Sequence, residues 1–168
     1  MNDSSQIGVR LLKPADALLY REIRLEALQL SPEAFGSTFE HESAQSLEYF
    51  EGALARTDIF GAFGETGILG VAGYLTQAGA KQAHKGLLWG MYVRPAARRG
   101  GVGRHLVAAV LDHARSRVEL LQLAVVSENE AARRLYGSLG FAAYGHEVHA
   151  LKQNGRYYDE ILMAVAFD

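Results

Sequence analysis

Three glycines and four arginines crowd into Val93-Arg94-Pro95-Ala96-Ala97-Arg98-Arg99-Gly100-Gly101-Val102-Gly103-Arg104, between an apolar run with strand character and an apolar stripe with helical spacing. A chain written this way turns from strand to helix through backbone that carries no Cβ at its glycines. The first N–H groups of a helix have no intrahelical partner, and with the positive end of the helix dipole they favour an anion, typically a phosphate. Arginines add charge-assisted, often bidentate hydrogen bonds. The segment therefore requires an α/β connection and offers a seat for a phosphate. It is not a P-loop, since no Gly-Lys pair is present in it. It is not a dinucleotide fingerprint either, because Gly101-Val102-Gly103-Arg104-His105 is followed by Leu106 and lies past mid-chain.

The flanking elements follow from hydrophobic periodicity. Residues 87–93 read as a strand, and Gly90 inside it suggests a bulge or a close backbone approach. Val102, Leu106 and Val110 beside Val107, Leu111, Ala114 and Val118 form a broad helical stripe. Ile7, Val9 and Leu11 mark a first strand. Pro14 opens a helix carrying Leu19, Ile23, Ala27 and Leu30, and Ser31-Pro32 ends it. Residues 33–39 read as a loop. The next helix places Ala44, Leu47, Phe50 and Leu54 on one face, with Ser43 or Ser46 as its cap. Residues 59–63 and 68–76 form a hairpin around Gly64-Glu65-Thr66-Gly67. A buried strand at 120–126 precedes a helix at 129–139 that Gly140 stops. Two strands, 141–151 and 157–167, flank the hairpin dipeptide Asn154-Gly155. The order β-α-α-β-β-β-α-β-α-β-β makes a mixed sheet with helices on both faces, an α/β domain.

Composition narrows the partners. The 168 residues, 49% hydrophobic and 21% charged, suit a single globular domain, taken here as residues 7–168. Lys+Arg 17 against Asp+Glu 19 leaves a formal charge of -2, so no global basic field attracts nucleic acid or an anionic membrane. Zero cysteines exclude a disulfide scaffold, a thiolate zinc site and a cysteine nucleophile. No apolar stretch approaches the roughly 20 residues that span a bilayer. The polar start, Met1 to Gln6, lacks the regions of a signal peptide. A soluble, cytoplasmic protein is expected.

A third reading of the glycine turn is Arg-x-x-Gly-x-Gly, given by Arg98, Gly101 and Gly103 after Met91-Tyr92-Val93-x-Pro95. Downstream stands Asn129-x-x-Ala132-x-x-Leu135-Tyr136-x-x-x-Gly140-Phe141. Together these resemble the acyl-CoA pyrophosphate loop and the second signature of the GNAT N-acetyltransferases, and the likeness runs from about Ile7 to Phe167. Arg99 is a departure, because the family often has glycine beside the loop arginine.

The resemblance implies a GNAT fold, a mixed, mostly antiparallel sheet of about seven strands flanked by about four helices. It implies transfer of an acyl group, usually acetyl, from coenzyme A to an amine by direct attack in a ternary complex. In that geometry the pantetheine arm lies between strands 87–93 and 120–126, against backbone of Met91 and Val93. The pyrophosphate rests on Arg98, Arg99, Gly100, Gly101, Val102, Gly103 and Arg104, and Asn129 reaches the arm. Tyr136 is the family's usual proton donor to the leaving thiolate. Phe35, Phe39 and Tyr157 are candidate acceptor walls. The proton-accepting base stays open among Glu26, Glu33, Glu40, Glu42, Glu147, Glu160, His84 and His146. His146 and His149 fall at odd strand spacing, and no metal site is expected. The acceptor is left as a protein N-terminus, a free amino acid or a small xenobiotic amine. Dimerisation is common in the family, though no exposed apolar stripe specifies a homodimer here. The rival reading is a non-catalytic acyl-CoA-binding or regulatory module of the same fold.

Overall fold

The computed structural model describes residues 6–168, so residues 1–5, most of the polar start on which the signal-peptide reading rests, lie outside it. Seven strands form one sheet: β1 (Gly8–Leu11), β2 (Asp58–Gly64), β3 (Gly67–Thr76), β4 (Lys85–Val93), β5 (Leu120–Val126), β6 (Ala142–Gln153) and β7 (Arg156–Ala166). Their spatial order is β1-β2-β3-β4-β5-β7-β6, and every neighbouring pair is antiparallel except β4 with β5. The helices are α1 (Ala17–Leu30), α2 (Phe39–Ser43), α3 (Leu47–Arg56), α4 (Val102–Arg115) and α5 (Glu130–Ser138). The architecture is the mixed, mostly antiparallel α/β sheet anticipated from the sequence.

Two apolar layers clamp the sheet. On one face α4 buries Val102, Leu106, Val107, Val110, Leu111 and Ala114 against Leu121, Leu123, Val125 and Met163. Each fully buried valine or leucine contributes about 1.5–3 kcal/mol, so this stripe is the principal anchor of the turn that precedes α4. On the other face α1 and α3 bury Tyr20, Ile23, Ala27, Phe50 and Leu54 against Ile59, Ile68, Val71 and Tyr92. That second layer covers β2 to β4. Over β5 and β6 it is continued by the short 3-10 turn Pro32–Ala34.

Local signals explain most boundaries. Asn154 and Gly155 both take left-handed backbone, φ 50 and φ 79, as a tight primed turn between β6 and β7 requires. Gly140 stops α5 with φ 101. Two readings change in the region after α1. Residues 33–39 are not simply loop, because Thr38 Oγ1 accepts the His41 N–H at 3.2 Å and caps the one-turn helix α2. The following helix starts at Leu47 with Ser46 as its N-cap, so Ala44 lies before it.

Candidate active site

The parallel pair β4–β5 is hydrogen-bonded over three residues only, Lys85–Leu87 against Leu120–Gln122. Beyond that point the strands diverge, leaving the facing edges of 88–93 and 123–126 without a ladder partner. The divergence has a local cause. Between the pairs Val71↔Tyr92 and Gly73↔Trp89, β4 contains one residue more than β3. Gly90 in this bulge takes φ 61, a conformation glycine adopts without a Cβ penalty. Unpaired backbone needs a hydrogen-bonding partner, and an extended chain laid along the edge can supply one. The gap opens into a cleft of about 870 Å³.

One end of the cleft is made by the glycine turn. α4 starts from Gly101, which has φ 84 and contributes no capping side chain, so the N–H groups of the first turn stay available. The four arginines divide their work. Arg94 is drawn to α1, with Nε 3.0 Å from Glu26 and Nη2 2.8 Å from Glu22. Arg98 Nε donates to the Val93 carbonyl at 3.0 Å and so ties the turn to β4. Arg104 Nη2 donates to Ser138 Oγ on α5 at 2.8 Å. Arg99 holds left-handed backbone at φ 68 and has no hydrogen-bonding partner among the described residues. Met91, Val93, Arg98, Arg99, Gly101, Val102, Gly103, Arg104 and Asn129 all line the cleft, whereas Gly100 sits within the turn without lining it. Asn129 Oδ1 accepts the Ala132 N–H at 3.1 Å, so this side chain caps α5.

Tyr136 lines the middle of the cleft from α5, its ring buried and edge-on to Phe141 at 5.8 Å. Burial pushes its phenol above the ordinary tyrosine value, which keeps the hydroxyl protonated. Tyr92, in the layer on the other face of the sheet, is pushed up to about 12 by burial and by the hydrogen bond its hydroxyl donates to Glu26.

The other end is walled by Ser31, Glu33, Ala34 and Phe35 from the turn after α1, with Trp89, Ala124, Val126 and Tyr158. Phe35 lies 5.2 Å from the guanidinium carbon of Arg24, which is itself buried and fixed by two hydrogen bonds to buried Glu42, at 3.0 and 2.9 Å. Phe35 thus lines the cleft as the sequence suggests; Phe39 and Tyr157 do not. Phe39 is the first residue of α2 and lies outside the cleft wall. Tyr157 stacks on His149 at 4.2 Å, on the opposite side of β7 from Tyr158. Counting back by twos from core Met163 gives Ile161, Asp159 and Tyr157 on one face, so alternation alone assigns the wall to Tyr158. Trp89 also belongs to this wall, and its place beside the in-strand glycine is the sequence signal for it.

The candidate bases separate once partners are known. Glu26 serves Tyr92 and Arg94, Glu42 serves Arg24, and His146 is hydrogen-bonded to Asp159 at 2.8 Å. Glu40 is exposed on α2, and His84 is exposed at the closed end of the β4–β5 pair, where its carbonyl accepts the Glu119 N–H. Glu147 and Glu160 stand opposite each other on the β6–β7 ladder, and burial together with Glu147 raises the Glu160 carboxyl above the usual range. Glu33 lines the cleft with no charged partner among the described residues.

These features define a class, an α/β domain whose sheet splits between two parallel strands and opens a cleft that ends at an uncapped helix start. The model of the Acetyltransferase (GNAT) family matches residues 24–141, more than half of the chain. The fold is shared with an acetyltransferase of the GNAT family from Streptococcus pneumoniae, 21% identical, with 96% of this chain and 100% of that one covered at a TM-score of 0.85. Ribosomal-protein-alanine N-acetyltransferase from Brucella melitensis is 24% identical, with 95% and 99% covered at 0.83. The protein yncA from Salmonella typhimurium, solved with its cofactor acetyl-CoA, is 21% identical, with 96% and 94% covered at 0.78. No curated protein sequence matches the chain. The chain belongs to the GNAT acetyltransferase family, which uses acetyl-CoA as its acyl donor. Among the described residues no helix is long and apolar enough to cross a membrane.

Proposed function

We propose that this protein is an acyl-CoA-dependent N-acyltransferase that moves acetyl from acetyl-CoA to a primary amine of a small molecule or a protein N-terminus. The observation that carries the reading is the split at β4–β5, which exposes two unpaired strand edges and leads to an α4 start that no side chain caps. An extended pantetheine arm satisfies the β4 edge at Met91 and Val93, and the α4 N–H groups with Arg99 take the pyrophosphate. Acetyl-CoA supplies the activated acyl carbon and a thiol leaving group. Tyr136 holds its proton at neutral pH and offers it toward the departing sulfur as charge develops there. Trp89, Phe35 and the turn after α1 exclude water from the acceptor end.

The test pairs binding with turnover. Acetyl-CoA at a hundredfold excess over its Kd should stabilise the protein by about 2.7 kcal/mol, read as a raised Tm. Coenzyme A should do nearly the same, NAD and ATP much less; equal shifts with NAD would defeat the acyl-CoA assignment. Release of free thiol from acetyl-CoA in the presence of a panel of primary amines should then identify an acceptor. Tight binding with no thiol release from any amine would favour a non-catalytic binding module.

A further inference from the structure

An alkyl amine is an ammonium ion at neutral pH, so a group at the acceptor end must take a proton before the nitrogen lone pair can attack. Neither strand that bounds the split supplies one, since β4 and β5 carry no carboxylate and no imidazole. Two carboxylates line the cleft, Glu33 and Glu128. Glu128 lies beside the α5 start and is paired with Arg156. Glu33 sits at the acceptor end and has no ion pair or hydrogen bond among the described residues. We infer that Glu33 is the general base, receiving the proton of the bound ammonium. This rests on the acyltransferase reading above.

The turn that carries Glu33 is held by its own backbone and by its neighbours. The Ala34 N–H donates to the Ser31 carbonyl at 3.0 Å, and Pro32 fixes its own φ. Phe35 rests on the Arg24 guanidinium, and Arg24 is locked by Glu42. The buried ion pair therefore has a positioning role. It does no chemistry, yet it fixes the platform against which the turn is set. The elements packed against this turn are α1, β5 and β6. On α1, Arg24 is neutralised by Glu42, Glu22 and Glu26 are held by Arg94, and Arg21 lies against Phe50. β5 carries no charge. On β6, Glu147 is opposed to Glu160 of β7, His146 is held by Asp159, His149 stacks on Tyr157, and Lys152 also lies over Tyr157.

The step balances as follows. The ammonium gives one proton to Glu33, and the freed lone pair forms the N–C bond while the C–S bond breaks. Sulfur takes the Tyr136 proton, the second nitrogen proton restores Tyr136, and Glu33 returns its proton to solvent. The products are amide, thiol and one released proton.

The test compares E33Q with wild type across pH, using the best acceptor among phenethylamine, lysine and an alanine-initiated peptide. At pH 7, kcat/KM should fall by about a hundredfold or more. The deficit should shrink to within about tenfold once the pH reaches the acceptor's own pKa, about 10 for phenethylamine or the lysine side chain and about 8 for the peptide N-terminus (whose deficit at pH 7 is correspondingly smaller), because the amine then supplies its own free base. Acetyl-CoA affinity should stay at the wild-type value, which shows that E33Q is folded. A loss that alkali does not repair would make Glu33 a structural or binding residue and overturn the inference. So would wild-type kcat/KM in E33Q, or an alkali-repaired deficit in a parallel E160Q variant instead. If wild type turns over no amine while binding acetyl-CoA, the inference falls together with the acyltransferase reading; in the other cases only Glu33 falls.

Discussion

From Leu88 to Arg104 the cleft offers the unpaired edge of β4 and the free N–H groups of the first α4 turn, with arginines around them. Under the Pro32–Ala34 turn it offers side chains, Glu33, Phe35, Trp89 and Tyr158, drawn from segments far apart in the chain. The difference separates two kinds of recognition. A donor whose tail is constant can be held by main-chain geometry, which a few glycines and one bulge create. In the proposed reading an acceptor is discriminated by particular side chains, and these need a scaffold of their own, for which the structure offers the buried Arg24–Glu42 pair under Phe35. The two ends should therefore break independently.

The largest effect is expected from Glu42→Ala, which breaks the acceptor scaffold. Removing one partner of a buried ion pair leaves an uncompensated charge and costs about 3–5 kcal/mol. For a domain of this size that lowers Tm by about 10 °C. Below that Tm, acetyl-CoA should bind as in wild type, while kcat/KM for the acceptor falls because Phe35 and the turn carrying Glu33 lose their platform. Equal losses of donor affinity and acceptor turnover would show that the two ends are coupled.

Gly101→Val breaks the other end. A β-branched residue at φ 84 is strained by about 1–3 kcal/mol, so some stability is lost along with the ligand site. Below the variant's Tm, acetyl-CoA affinity in a titration should fall by about a hundredfold or more, equivalent to about 2.7 kcal/mol. Normal affinity would reduce the glycine turn to a connector. Tyr136→Phe acts between the ends: it keeps the buried ring and its contact with Phe141 but deletes the hydroxyl. Turnover should fall by at least about tenfold with acetyl-CoA affinity unchanged, measured where chemistry is rate-limiting. Wild-type turnover would remove Tyr136 from the reaction.

The same division explains what could be read before the structure. The order of elements, the Gly90 bulge and the Asn154-Gly155 turn are local events, each encoded within a few residues. The glycine turn belongs with them, since its job is set by its own backbone. The acceptor end depends on registers between distant segments. Tyr158 rather than Tyr157 follows from strand alternation, whereas Arg24 meeting Glu42 under Phe35 requires α1 and α2 to be packed first. The free state of Glu33 is likewise known only after the other carboxylates have found their partners.

Arg99 carries the smallest and sharpest test, because at this one residue backbone and side chain can be set against each other. Its φ of 68 is the left-handed conformation that glycine takes freely and that costs other residues about 1–2 kcal/mol. Of the four turn arginines it is also the one with no partner among the described residues, which leaves its guanidinium free to meet the proposed pyrophosphate. Arg99→Gly relieves the strain but adds unfolded-state entropy of about 0.5–1 kcal/mol, so stability should stay within about 1 kcal/mol of wild type. If the donor end is purely a main-chain site, acetyl-CoA affinity will not change. If the guanidinium contributes an exposed charge-assisted contact, affinity should fall about three- to tenfold at low ionic strength, and the gap should narrow in added salt. We expect the second result, read by calorimetric titration at two salt concentrations. An affinity equal to wild type at low salt would mean that the conformation at Arg99, rather than its charge, is what the turn requires.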